Sequence, residues 1–538
     1  MEVMNEIMER SIGGDIHPAF TDGLKKREMA GGTLSEHYLH EKITNGLRKR
    51  MQEIEFDILQ QVNQQINEMV TEILQEVEKI PKKTDAFVSD EKYNDKIKSS
   101  TDILPSKHFV HRNSLLTDLY EIKHIRTIYN IFMVILIILF INTGIQDIWK
   151  TGTPTLGMVT IMKGFAKFPI AIRTWFLMKG STLGIYAAFD IWAKKRFDFA
   201  PNSLTRKAWD YSWLVAFIFY QIMFMILPTK EVLDENLAIA SSVVVLMEQL
   251  RMVMKSYAFI RSVAPRFLSY KPHAESEMPK LPDFSHFLYF MFAPTLVYKD
   301  SYPRTRKIRW DFVLYHYTEV LMNMFFVAYI LEYFVIPVYL DFGKQPIELL
   351  PLCLQIMGTT MAGILSFVAG FYCLLHSWMN AAAELLQFAD RMFYKDWWNA
   401  TSYTDFYRSW NVVIHDWLYT YIHKDIYEIL TPRNKKLSLF AVFTISAIFH
   451  EYVLAFAFRF FLPMMLFSFG VVGQLILFNT NKLGNVMLWF TLCWGNGIML
   501  SFYAMEYFAR INCPSSYSND IADAFVPRLL SCYKNFEI

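Results

Sequence analysis

IYNIFMVILIILFINT, residues Ile128 to Thr143, is an apolar run interrupted only by Tyr129, Asn130 and Asn142. It approaches the length that crosses about 30 Å of hydrocarbon. The 538-residue chain is 53% hydrophobic and 16% aromatic although its first hundred residues are strongly polar. The remainder is therefore too apolar for soluble packing, and runs of this kind read as membrane spans.

Working outward, apolar segments recur near 127–146, 168–192, 211–228, 237–260, 313–339, 350–379, 437–457, 460–480 and 485–508. The fold class is all-α: a polytopic membrane protein with about nine transmembrane helices. Several segments carry groups that must face protein or water rather than lipid: Arg173 and Lys179 in the second, Glu248, Gln249, Arg251 and Lys255 in the fourth, and His376 at the end of the sixth. For the fourth, a buried structural ion network built on Glu248/Arg251 and Glu248/Lys255 is the simplest reading.

Lys and Arg number 53 against 51 Asp and Glu, a net charge of +2. They cluster at the ends of apolar runs rather than on one basic surface, which sets nucleic acid aside as a partner. Residues 1–33 read as a disordered tail without the apolar run of a cleavable signal. From Leu34 to Ile80, apolar residues at Leu47, Met51, Ile54, Ile58, Val62, Ile66, Ile73, Val77 and Ile80 follow helical spacing. This amphipathic helix suits self-association, a solitary surface helix being the alternative. A polar linker over 81–106 leads to a core over 107–508, and 509–538 is a tail. Lys107 to Arg126 reads as amphipathic turns whose basic flanks favour a cytosolic N-terminus. Nine spans then put the tail in the lumen, where Cys513 and Cys532, unlike Cys353, Cys373 and Cys493 in apolar runs, could form a bridge.

Two stretches could carry chemistry. His450 lies in the apolar run Ala447 to Val453, where an ionisable group costs at least a few kcal/mol. An imidazole there could act as general base toward an alcohol, or be a structural histidine bonded to a neighbouring helix; the residues alone leave both open, with Ser446 one turn earlier favouring a polar pocket. The connection Phe393 to Pro432 mixes Tyr, Trp and Phe with Asp, Arg, His and Lys, as amphipathic membrane-surface helices do. Within it Arg408, Asn411, His415 and Tyr419 would align on one helix face, Arg408 suiting phosphate and Asn411 with His415 a carbonyl or pantetheine arm. A merely solvated face has the same spacing. Lys435 could meet a nucleotide phosphate or only snorkel. Asn399-Ala400-Thr401 is formally a glycosylation acceptor. On the cytosolic side, where this topology puts it, it would stay unmodified.

The run Phe393-Tyr394-Lys395-Asp396-Trp397-Trp398-Asn399 resembles the signature of sterol O-acyltransferases of the membrane-bound O-acyltransferase superfamily. Lys107 to Val110, His124 to Tyr129, Phe292 to Leu296, Asp300 to Arg304 and Phe449 to Tyr452 extend the resemblance over about 107–538. It implies nine spans in the endoplasmic-reticulum membrane, acyl-CoA as co-substrate entering from the cytosol, and sterol entering from the bilayer. It places the catalytic histidine at His450, with Asn411 helping at the reaction centre. Arg408, Trp410, His415, Lys435 and Ser446 would line the acyl-CoA path, and His124 falls where the family has a residue linked to sterol response. Two positions depart from the vertebrate pattern: Asp405 replaces a cofactor-contacting Asn and His423 a Tyr, which puts coenzyme contacts rather than the reaction class in question. The family also implies dimers or tetramers formed through an N-terminal helix and a Cys513–Cys532 disulfide.

The expectation is acyl transfer from acyl-CoA to a sterol hydroxyl, His450 taking the proton and Asn411 stabilising developing charge, with no metal and no permanently bound cofactor. Its rivals are a diacylglycerol acyltransferase, against which Asp396 and the Phe292 to Arg304 block argue, and a sterol-binding or transporting membrane protein.

Overall fold

The computed structural model describes residues 104–270, 278–344, 348–430, 434–474, 484–515 and 520–532. The tail over 1–33, the self-associating helix over 34–80 and nearly all of the linker lie outside the described residues. The principal helices are α1 (Lys123–Thr151), α2 (Phe168–Arg196), α3 (Leu204–Asp234), α4 (Ile239–Leu268), α5 (Phe284–Phe292), α6 (Trp310–Tyr339), α7 (Leu349–Leu385), α8 (Tyr403–Trp410), α9 (Val412–Trp417), α10 (Lys435–Phe458) and α11 (Asn485–Asn512). Among the described residues, β-type pairing is confined to two isolated bridges, Arg112 with Asp390 and Arg304 with Phe388.

The apolar segments fall on α1, α2, α3, α4, α6, α7, α10 and α11, and the segment near 460–480 carries a π-helical stretch, Leu466–Gly473. Among the described residues six helices, α1, α3, α6, α7, α10 and α11, are long and apolar enough to cross a membrane. This is an all-α, multi-pass membrane protein. Local sequence explains the boundaries: Ser203 caps α3 by accepting from Arg206 N at 3.2 Å, and Gly152, at φ 79°, ends α1 in the left-handed conformation that glycine tolerates. Along α1, Ile128, Ile131, Phe132, Ile135, Ile138, Ile141 and Ile145 remain exposed, as a lipid-facing stripe requires.

α2, α3 and α4 pack against one another, and α10 packs on α4. The expected ion network is half right. Glu248 accepts from Arg251 Nε and Nη2 at 2.6 and 2.7 Å, and from Trp175 Nε1 at 2.8 Å. Lys255, expected to share Glu248, instead donates to Phe290 O and Ala293 O at 2.5 and 2.6 Å. Those carbonyls close the C-terminal end of α5, where the helix dipole is negative and the acceptors have no intrahelical donor.

α11 crosses α7 at glycines. A Cβ on Gly363 would lie 2.8 Å from Gly497 N, and one on Gly497 would lie 2.6 Å from Thr360 Cα. Close backbone approach of this kind is how helices gain packing in lipid, where apolar burial gives no advantage. Beside the crossing, Thr359 Oγ1 lies 2.7 Å from Ser501 Oγ.

The expected turns of Lys107 to Arg126 begin only at Leu115. Residues 104–113 have no helical structure and carry the isolated bridge at Arg112, followed by a short helix, Leu115–Leu119, and a turn that leads into α1. Arg112 donates its N–H to Ala389 O at 2.9 Å and accepts from Arg391 N at 3.1 Å, and this ladder-like pairing replaces helical bonds. The C-terminal pair is joined: Cys513 and Cys532 form a disulfide with Cα atoms 5.8 Å apart.

Candidate active site

The aromatic signature builds a scaffold. Phe393, Tyr394 and Trp397 are each no more than 2% exposed, while Lys395, Asp396 and Asn399 are exposed and Trp398 is half-buried. Trp410 stacks on Phe367, centroids 4.3 Å apart, and meets Trp397 edge-on at 4.7 Å. The backbone ties this cluster to the next turn: Lys395 N donates to Ser409 O at 2.8 Å and Val412 N to Phe393 O at 2.9 Å. Asn411 lies between those two anchored residues, so the knot sets its place. Trp410, expected on the acyl-CoA path, is thereby engaged in the scaffold itself.

Arg408, Asn411, His415 and Tyr419 do not share one continuous helix. The chain leaves helical geometry at Asn411, φ −137° and ψ 88°, so Arg408 belongs to α8 and His415 to α9. Spacing alone could not reveal the break, which follows from the pairing of Val412 with Phe393. Asn411 caps α9, its Oδ1 accepting from Ile414 N at 3.1 Å. The cap uses only the carbonyl oxygen. Among the described residues Nδ2 has no acceptor, and its two N–H groups remain for a ligand oxygen.

From α9 through the π-helical turns Leu418–His423 and Ile426–Leu430, four rings stack at steps of four: His415 on Tyr419 (6.2 Å), Tyr419 on His423 (5.6 Å) and His423 on Tyr427 (6.0 Å). The ladder packs against α10, where Ser438 Oγ lies 2.6 Å from His423 Nδ1 and donates to His423 O at 2.8 Å. Arg408 and Lys435 are exposed and have no acidic partner among the described residues. His423 feels both: burial, then Lys435, His415 and Arg408 hold its pKa below the usual histidine value. Arg408, His423 and Lys435 thus form a group of cationic and imidazole side chains with no acidic partner among the described residues, the arrangement that accepts phosphates. Asp405 does not cancel it, because its carboxylate accepts from Ser402 Oγ at 2.7 Å while its N–H donates to Ser402 Oγ at 3.1 Å, closing the cap of α8.

His450 is exposed on α10 although it stands in an apolar run. Its Nδ1 is 2.7 Å from Ser446 O, and a carbonyl can only accept. In the neutral ring Nδ1 therefore carries the hydrogen, and the Nε2 lone pair has no partner among the described residues. Phe469, from the π-helical stretch Leu466–Gly473, stacks on the imidazole with centroids 5.1 Å apart and planes 12° from parallel. Ser446 Oγ stands 3.5 Å from Nδ1.

Two sets of residues escape sequence reading. Tyr407 packs its ring on Phe443 and Phe469 at 5.2 and 5.8 Å, linking α8 to the layer over His450. Glu319 of α6 gathers His316 Nδ1 (2.7 Å), Tyr129 OH (3.0 Å), Tyr372 OH (2.6 Å) and Ser377 Oγ (2.9 Å). His376 meets this buried network by ring contacts with His316 and Tyr372, centroids 5.2 and 4.9 Å apart, and its Nδ1 lies 2.7 Å from Tyr394 OH, tying the signature to α6 and α7. His316, Glu319 and His376 hold their ligand-type atoms within 4.8 Å of one another, but their hydrogen-bond partners account for the cluster as a structural network. Tyr394 and Tyr129, through their motifs, and His376, as an ionisable group in an apolar run, pointed there. His124 is exposed at the start of α1 and is not drawn into either cluster.

A model of the MBOAT, membrane-bound O-acyltransferase family, matches residues 199–505, more than half of the chain. Sterol O-acyltransferase 1 of Cricetulus griseus is 39% identical over 435 residues, 79% of this chain and 78% of the relative. The Mus musculus protein of the same name is 38% identical over 435 residues, covering 79% of each chain. Sterol O-acyltransferase 2 of Homo sapiens is 36% identical over 433 residues, 79% of this chain and 80% of the relative. With the matched span containing both His450 and the Asn411 turn, the chain belongs to the membrane-bound O-acyltransferase family, among its sterol O-acyltransferases.

Proposed function

We propose that this protein transfers a long-chain fatty acyl group from acyl-CoA to a sterol 3-hydroxyl, with His450 as the general base. The observation that carries the mechanism is the Nδ1 bond to Ser446 O, which leaves the Nε2 lone pair of a neutral imidazole free to take a proton. Nε2 takes the hydroxyl proton as the sterol oxygen bonds to the thioester carbonyl carbon. The C–S bond breaks, and the imidazolium returns the proton to the departing coenzyme A sulfur. The Nδ2 amide of Asn411 donates to the carbonyl oxygen as negative charge develops there.

Arg408, His415, His423 and Lys435 hold the phosphates and pantetheine arm, and Trp410 fixes the turn that presents Asn411. Ser446 positions the imidazole, Asp405 caps α8, and His124 contacts sterol near the first span. The protein acts in the endoplasmic-reticulum membrane with a cytosolic N-terminus and a lumenal tail carrying Cys513 and Cys532, and it associates with copies of itself through residues 34–80. The neutral cap made by Asn411 and the unpaired cations Arg408 and Lys435 support this reading over a passive sterol binder, which has no use for a phosphate path.

The test is acyl transfer from labelled oleoyl-CoA by the purified protein in detergent, with cholesterol and diacylglycerol offered in parallel and His450→Ala as control. Steryl ester formed by the wild type alone is expected. Triacylglycerol instead would move the protein to the diacylglycerol acyltransferases, and activity in His450→Ala would overturn the base.

A further inference from the structure

The non-helical residues 104–113 form a strap beside the ring ladder, anchored at both of its ends. Leu104 N donates to Glu428 Oε1 at 2.9 Å, beside Tyr427, and Lys107 Nζ lies 2.6 Å from Asp416 Oδ2, beside His415. Farther along, Arg112 forms a two-pronged bond to Asp390 at 2.6 and 3.0 Å, and Val110 N donates to the same carboxylate at 3.2 Å. The strap is thus held against the body of the protein independently of Lys107.

Asp416 divides its two oxygens. Oδ2 meets Lys107, while Oδ1 stands 3.6 Å from His415 Nδ1, beyond hydrogen-bond distance. Side-chain exposures of 15% for Lys107 and 21% for Asp416 keep solvent from screening the pair fully. Burial alone would raise the Asp416 pKa, yet His415 and Lys107 hold it below the usual carboxylate value.

We infer that Lys107 is a positioning residue for acyl-CoA binding: it holds the Asp416 carboxylate just short of His415, leaving that imidazole for the coenzyme. The inference rests on the proposed role of His415. Without the ammonium, the carboxylate gains by rotating a few tenths of an ångström onto Nδ1. It then occupies the ring and adds an uncompensated negative charge beside the row formed by Arg408, His423 and Lys435.

The experiment measures KM for oleoyl-CoA and kcat at saturating cholesterol in four full-length variants. Loss of one charge-assisted ligand contact corresponds to about a tenfold rise in KM for Lys107→Met, with kcat within about twofold. Lys107→Arg keeps the pair and stays near the wild type. The discriminating variant is Lys107→Met with Asp416→Asn: removing the carboxylate's charge frees His415 and restores KM. A double variant as impaired as Lys107→Met, or Lys107→Met with an unchanged KM, overturns the inference. If Lys107→Met is not recovered as monodisperse protein, recovery of both folding and KM in the double variant supports it, and failure overturns it. His415→Ala separates the two levels, because an unchanged KM there would instead refute the coenzyme role of His415.

Discussion

Asn411 offers the sharpest test, because its two side-chain atoms have different tasks. Oδ1 accepts from Ile414 N at 3.1 Å and caps α9, whereas Nδ2 has no protein acceptor among the described residues. Asn411→Asp preserves the cap, since a carboxylate caps as well as an amide and gains from the helix dipole, but it removes the donor and places negative charge where the thioester oxygen becomes negative. Asn411→Ala removes both functions. Loss of an oxyanion donor lowers kcat by roughly 10²- to 10³-fold, and loss of the cap costs about 1 kcal/mol. The expected pattern is that both variants lose steryl ester synthesis to that extent, while only Asn411→Ala lowers the melting temperature by a degree or more. Single-turnover transfer from oleoyl-CoA, paired with thermal unfolding followed by tryptophan fluorescence, reads both quantities. An Asn411→Asp enzyme retaining activity within a few-fold would show that Asn411 serves only as a cap.

Gly497→Val should destabilise the protein by about 1–3 kcal/mol or more through overpacking, because even its Cβ would lie 2.6 Å from Thr360 Cα; a fluorescence melt checks this, and an unchanged melting temperature would refute the close crossing. Replacing Cys513 and Cys532 by Ser opens a loop of sequence separation 19, expected to cost about 3 kcal/mol in the chain-entropy treatment; comparing melts of the wild type with and without reductant provides the same reading. His423 is held below its usual pKa by burial and by Lys435, His415 and Arg408. Phosphates of a bound coenzyme would offset those cations and raise the pKa back toward the ordinary histidine value, so binding takes up a proton and affinity should rise as pH falls below about 6.5. Each recovered pKa unit corresponds to about tenfold. Isothermal titration should show that gradient flattened in His423→Tyr, and an equal gradient in both proteins would exclude His423 as its source.

Residue pattern alone carried the membrane class, the positions of the long helices, the isolation of His450 in an apolar run and the pairing of the last two cysteines. These are properties of composition and local periodicity, and lipid enforces them because a helix must satisfy its own backbone. The aromatic signature could be read as a motif but not as a scaffold: its burial and its bonds to Ser409 and Val412 join segments that sequence does not show to be in contact.

Tertiary structure decided the rest. It broke the single face expected through Arg408 and His415, because pairing Val412 N with Phe393 O outcompetes a continuous helix at Asn411. It also turned Lys255 from Glu248 toward the carbonyls of α5, which came within reach only when α4 and α5 packed together. The imidazole tautomer of His450 followed from one carbonyl 2.7 Å away. Periodicity determines which side chains share an element, since it arises from backbone geometry. Which donor meets which acceptor across elements depends on distances of a few tenths of an ångström, and those exist only once the chain has folded.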